Sequence, residues 1–181
     1  MHYPDTAMSK LPPELPHGFA RSEEDDFRIL RESEDAISSP LLLQGLAHWQ
    51  SIRGSKPMPS RADFDPLNAP AGLLPHIMLI EVHHVSPIRL RYRLVGTHVT
   101  EVMQRDSTGK WLDELYNQHE YDVVTYGILE AVRTRQPVPS LAQAPSDSRS
   151  FLQIESIDMP LSSNGKDVDM VMALCHMRAP D

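Results

Sequence analysis

Nine histidines and one cysteine are the side chains of this 181-residue chain best suited to chemistry near neutral pH. Two of the histidines fall on apolar runs of period two. His98 shares strand parity with Leu90, Tyr92 and Leu94, and His176 shares it with Val168, Met170, Met172 and Leu174. Both would edge one interior space, where an imidazole donates to a carboxylate or carbonyl of a bound small molecule. Tyr92, Trp111 and Tyr126 offer that space apolar walls with polar tips. The other reading stays open for all five: core or core-edge side chains satisfied by backbone or water.

Other constellations fit their chemistry less well. His76, Glu81, His83 and His84 have the donor types of a metal site, but His83 and His84 are adjacent and point to opposite faces of a strand, so no metal is expected there. Ser, His and Asp are all present without a Gly-x-Ser-x-Gly elbow or another activating context, which leaves no nucleophilic enzyme to build. Arg61, Asp63 and Asp65 form a polar run between prolines. They read as a partner or ligand contact, or as a brace in which Arg61 pairs with a carboxylate while Asp63 or Asp65 caps a short helix or turn. Cys175 sits in an apolar run and reads as a small core residue.

The elements that must position these groups follow from periodicity. Ser22 to Ile37 reads as a short polar helix with acids in its first turn. A second helix has Ser39 as its cap and Pro40 in its first turn, carries Leu42, Leu46 and Trp49 at helical spacing, and ends at Gly54. Residues 77–85 and 88–99 read as two strands joined at Ser86-Pro87. In the second, Ile88, Leu90, Tyr92 and Leu94 alternate with Arg89, Arg91 and Arg93, a solvated face with a lesser prospect of meeting the acidic helix. Short helices around Ser107-Thr108-Gly109 follow, then a full helix over 120–135. Residues 151–161 and 167–177 read as strands joined by a turn at Asn164-Gly165, and 138–149 as a weaker strand. This order fits an α+β fold, an antiparallel sheet with helices segregated to one face.

Composition bounds the function. The net charge is −8 and the pI near 5.5, so nothing attracts phosphate backbones or anionic lipid, and no nucleic-acid or membrane partner is expected. One cysteine allows no intramolecular disulfide, no run reaches the roughly 18 apolar residues of a membrane span, and the first residues lack a signal-peptide pattern. A cytoplasmic protein is the expectation. Sixteen prolines against eight glycines look adverse to a core, but most of the prolines cluster in the leader, before the first strand and after the long helix.

The pieces HWQSIRG (48–54), PSRADFDP (59–66), LLPHIMLIEV (73–82), RYRLVGTHVTEVMQRDSTGKWLDEL (91–115) and MPLSSNGKDVDMVM (159–172) together resemble short, stand-alone bacterial PAS-domain proteins over about residues 40–177. The resemblance implies a PAS-like five-stranded antiparallel sheet with helices packed on one face, an N-terminal helical extension and a ligand space between sheet and helices. It also implies sensing or signal relay, commonly as a homodimer. The organisation read from the chain is a Pro-rich leader over 1–21, N-terminal helices over 22–54 and the PAS-like domain over 55–178.

Among PAS-type cofactors, a flavin photosensor needs a cysteine in the helical block, and residues 100–135 contain none. Haem needs an axial imidazole, for which His119, just before the long helix, is a weak candidate; flavin and haem are both disfavoured and the cofactor is unassigned. The expected function is a non-catalytic sensor or regulator binding a small molecule, a protein partner or both. A ligand-free interaction module and a small enzyme using His98 and His176 are the alternatives.

Overall fold

The structure, a computed structural model, describes residues 28–31, 37–145 and 151–178. Its elements in order are β1 (Arg28–Arg31), α1 (Pro40–Arg53), three single 3-10 turns at Arg61–Asp63, Pro66–Asn68 and Leu74–His76, β2 (Ile77–His83) and β3 (Arg89–Val95). Then come α2 (Thr97–Met103), α3 (Leu112–Leu115), α4 (Gln118–Thr134), β4 (Val138–Pro145), β5 (Phe151–Leu161) and β6 (Met170–Arg178). One antiparallel sheet runs in the order β1-β4-β5-β6-β2-β3. Strands β2 to β6 make the five-stranded α+β arrangement that the sequence resemblance implies, and β1 extends it at one edge.

That sixth strand corrects the helix expected over 22–37. Arg28–Arg31 pairs antiparallel with Leu141, Ala142 and Gln143 of β4, while 22–27 and 32–36, like the leader 1–21, lie outside the described residues. A short, acid-rich segment with few apolar residues gains little as a helix, whereas the open edge of β4 offers it backbone partners. At the other edge, residues 109–111 shield β3: the Gly109 amide donates to the Tyr92 carbonyl, the Tyr92 amide donates to the Lys110 carbonyl, and Arg91 bridges to Trp111.

The central strands are apolar on both faces. Every residue from Ile157 to Leu161 and from Val171 to Cys175 is buried, so both sides of the sheet need a cover. Helix α4 takes one side and α1 the other. A side chain added at Gly45 of α1 would run into Leu174, which lies opposite Ile157, while one added at Gly127 of α4 would run into Asp158, on the other face of the same strand. The N-terminal helix therefore lies across the sheet, on the face opposite α4.

Helix α1 is held by tertiary contacts at both ends. The expected Ser39 side-chain cap is absent; instead Glu155 of β5 accepts from the Ser38 amide (2.8 Å), the Ser38 hydroxyl (2.6 Å) and the Ser39 amide (2.7 Å). A carboxylate there satisfies amides at the helix entry and faces the positive end of its dipole. Further along, Trp49 Nε1 donates to the Pro160 carbonyl at 3.0 Å.

Two smaller expectations change. The period of two in β3 breaks at Arg93, because Leu79 pairs with Leu94 but Ile80 pairs with Tyr92. This one-residue bulge reverses parity, and Leu94 is 43% exposed. The last strand begins at Met170 rather than at 167, so the turn joining β5 to β6 occupies 162–169, with Asn164 Oδ1 accepting from the Lys166 and Asp167 amides, both at 2.8 Å, and Gly165 at φ +72°.

Candidate functional site

Helix α4 and the face of the sheet beneath it carry a group of interior polar side chains, Thr125, Ser140 and Asp158 among them. Asn117 and Glu120 close a reciprocal cap that starts α4, Asn117 Oδ1 accepting from the Glu120 amide and Glu120 from the Asn117 amide. Under its middle, at Gly127, lies Asp158 of β5. Ser156, two residues earlier on the same face, pairs in register with Ser140 of β4 and Cys175 of β6, and the two serine hydroxyls are 2.7 Å apart.

Asp158 is 7% exposed, has no hydrogen-bond partner among the described residues, and is pushed up to about 7 by burial. Burial, with Asp158 adding, pushes the Cys175 thiol far above its ordinary range, so it is a poor nucleophile. Tyr92 completes this side. Its hydroxyl is 3.2 Å from that of Tyr116, and burial raises it well above an ordinary phenol, with Tyr116 adding.

The histidines form a separate cluster. His98 lies in α2, not on a strand, because β3 ends at Val95 and the Gly96 amide donates to the Ile77 carbonyl to turn the chain. The strand parity read for His98 therefore fails. It nevertheless meets His76, with ring centroids 4.1 Å apart, and His76 lies 6.1 Å from His176. His76 Nδ1 donates to the Cys175 carbonyl at 2.9 Å, whereas His98 Nε2 and His176 Nδ1 are buried without a partner among the described residues. Desolvation, then the neighbouring imidazoles His76 and His176, lowers the His98 pKa. His176 and Cys175 are adjacent on β6, so this cluster and the Asp158 group occupy opposite faces of the sheet.

The five residues read as one ligand space are thus divided. Trp111 lies against Arg89 and Arg91, whose guanidinium carbons are 4.1 and 5.3 Å from its ring, and beside His83. It belongs to the arginine face of β3, opposite Tyr92. Tyr126 is half-buried on α4. The arginines are paired locally, Arg89 with Asp113 at 2.7 Å and Arg91 with Glu81 at 2.6 Å, while the acids of 22–27 and 32–36 lie outside the described residues. Burial opposes ionisation of Glu81, but its bonds from Arg91 and His83 win and hold its pKa down.

The proline-flanked run is a set of local caps. Asp63 accepts from the Ser60 amide and hydroxyl and pairs with Lys56 at 2.8 Å; the Lys56 bond, then Ser60, lowers its pKa to about 2. Asp65 caps the next turn by accepting from the Leu67 amide at 3.0 Å. Among the described residues Arg61 pairs with no carboxylate; its Nη1 donates to the Phe64 carbonyl at 2.9 Å. The histidines considered for a metal diverge: His76 joins His98, His83 contacts Glu81 and His84 donates to the Val168 carbonyl. No group of three or more ligating side chains among the described residues is arranged to hold a metal ion. His119 lies in the first turn of α4, half-buried.

A family model described as PAS domain matches residues 37–175. The chain belongs to the PAS domain family. No curated protein and no solved structure matches it. The PAS match opens at Ile37, beside the serines bound by Glu155, and closes at Cys175, so it takes in α1 and the Asp158 group and leaves β1 outside. Sequence reasoning missed Asp158, Glu155 and Gly127. The available signal was a carboxylate at each of two positions in the mainly apolar run IESIDMPL, since buried acids are rare without a partner.

Proposed function

We propose that this PAS domain is a non-catalytic sensory or regulatory module that takes a small molecule between α4 and the sheet. The observation that carries the reading is the Asp158 carboxyl, buried under Gly127 without a partner among the described residues and next to Ser156 and Cys175. Interior carboxyls are normally bonded, and one that is not has hydrogen-bonding capacity to give a ligand. A non-catalytic role accords with a Cys175 thiol held protonated and a histidine cluster separated from Asp158 by the sheet.

Occupancy under α4 would be reported by shifting the population of arrangements of α4, β5 and the N-terminal elements joined to Glu155. A homodimer and a signalling partner belong to this proposal; α1 itself is engaged with its own sheet. We place the protein in the cytoplasm, since it has one buried cysteine, and no helix among the described residues is long and apolar enough to cross a membrane.

Native mass spectrometry of the freshly purified full chain tests the reading. A small-molecule adduct lost on denaturation supports it. Absence of any adduct, together with no thermal shift across a panel of amines, alcohols, acids and nucleotides, overturns it in favour of a ligand-free interaction module. The same spectra give the oligomeric state, and a monomer at tens of micromolar overturns the homodimer.

A further inference from the structure

Strand β5 carries two buried acids with opposite fates. Glu155, 1% exposed, accepts three hydrogen bonds from Ser38 and Ser39. Asp158, on the other face, accepts none among the described residues. Its register neighbours are Val138 of β4 and Ala173 of β6, neither able to donate from its side chain, and α4 presents Gly127 above it. The Ser140 and Ser156 hydroxyls, one pair further along, engage each other, and the Thr125 hydroxyl donates to the Tyr121 carbonyl. The missing side chain at Gly127 gives the carboxyl its room, and any side chain there would collide with Asp158 Oδ2.

We propose that Asp158 anchors a small, mainly apolar organic amine, its ammonium donating to the carboxylate while its hydrocarbon body lies between α4 and strands β4 to β6. This rests on the ligand reading given above and names the class of ligand. An anionic ligand would set like charges together in a low-dielectric interior. A neutral alcohol or ketone brings no charge to offset the desolvated carboxylate. An ammonium supplies both the donor and the charge, and the apolar neighbours favour a hydrocarbon remainder.

The ammonium needs Asp158 ionised. Burial holds this group near 7, so an amine binding below that pH must displace a proton, and affinity falls about tenfold per pH unit on the acid side. Gly127 of α4, Val138 of β4 and Ala173 of β6 bring no ionisable group. The Cys175 thiol titrates too high to contribute, and the Tyr92 phenol does likewise.

Calorimetry on the full chain with phenethylamine and hexylamine, against phenethyl alcohol, hexanol and hexanoate at pH 6 and pH 8, tests this. The amines bind preferentially, about tenfold more weakly at pH 6, and Asp158→Asn costs them at least tenfold while leaving the alcohols unchanged. Gly127→Ala, which fills the space beside the carboxyl, lowers amine affinity as well. Alcohols binding as tightly as amines, amine affinity independent of pH in the wild type, or amine affinity unchanged in Asp158→Asn each overturns the anchor and leaves the ligand reading standing. Failure of every probe beside a co-purified adduct overturns the amine class alone; failure of every probe with no adduct removes both.

Discussion

Asp158 and His98 pull the pH dependence of stability in opposite directions. An unfolded aspartate titrates near 3.8 and Asp158 near 7, so between those values the native state holds a proton that the unfolded chain has released. Stability from this group therefore falls as pH rises from about 4 to 7 and is level beyond. Asp158→Asn removes that fall, and relative to wild type it gains roughly 2–3 kcal/mol between pH 5 and pH 8, read from urea midpoints. His98, lowered below 6.5 by desolvation and then by His76 and His176, behaves in the reverse sense. Below pH 6.5 the unfolded chain takes up a proton that the native state accepts less readily, so stability is lost on acidification. His98→Gln shallows that acid arm, which thermal midpoints from pH 5 to 7 will measure. The sequence showed the histidines readily, because a titratable ring in an apolar run stands out. It concealed that His98 leaves the strand at Gly96, and that an aspartate three residues from a glutamate faces the other helix.

Helix α1 depends on β5 more than on its own cap. Glu155→Gln removes charge-assisted bonds to Ser38 and Ser39 and turns one acceptor oxygen into a donor. It destabilises by about 2–4 kcal/mol, with faster amide exchange over 38–43 than over α4. Across the sheet, Gly127→Ala costs about 1–3 kcal/mol through the overlap with Asp158. Combined with Asp158→Ala it costs less than the sum, a coupling that a double-mutant cycle in urea resolves. The strongly periodic elements, 77–83, 89–93 and 118–134, were legible because one face of each is apolar. β1 was not, because only the free edge of β4 makes a strand of Arg28–Arg31. The Ser39 position suggested a local cap, and the true partner lies more than a hundred residues away in sequence.

At the scale of the molecule, the covered sheet explains the continuous apolar run MVMALC, which periodicity alone leaves ambiguous between one wet face and none. Removing residues 1–36 should leave the PAS core folded, since the family match begins at Ile37, but it strips β1 from β4. The truncated chain then self-associates with concentration where the full chain does not exceed its own oligomer, as light scattering will show. The strand order has a further consequence, for biosynthesis. β2 lies between β3 and β6, with Ile77 opposite Leu174, and α1 rests on that same Leu174. The first helix and the first hairpin of the core therefore emerge from the ribosome about 100 residues before the strand that joins them. At about 5–20 residues per second that is a wait on the order of 5–20 s with apolar faces uncovered, the interval in which a nascent-chain chaperone has most to hold.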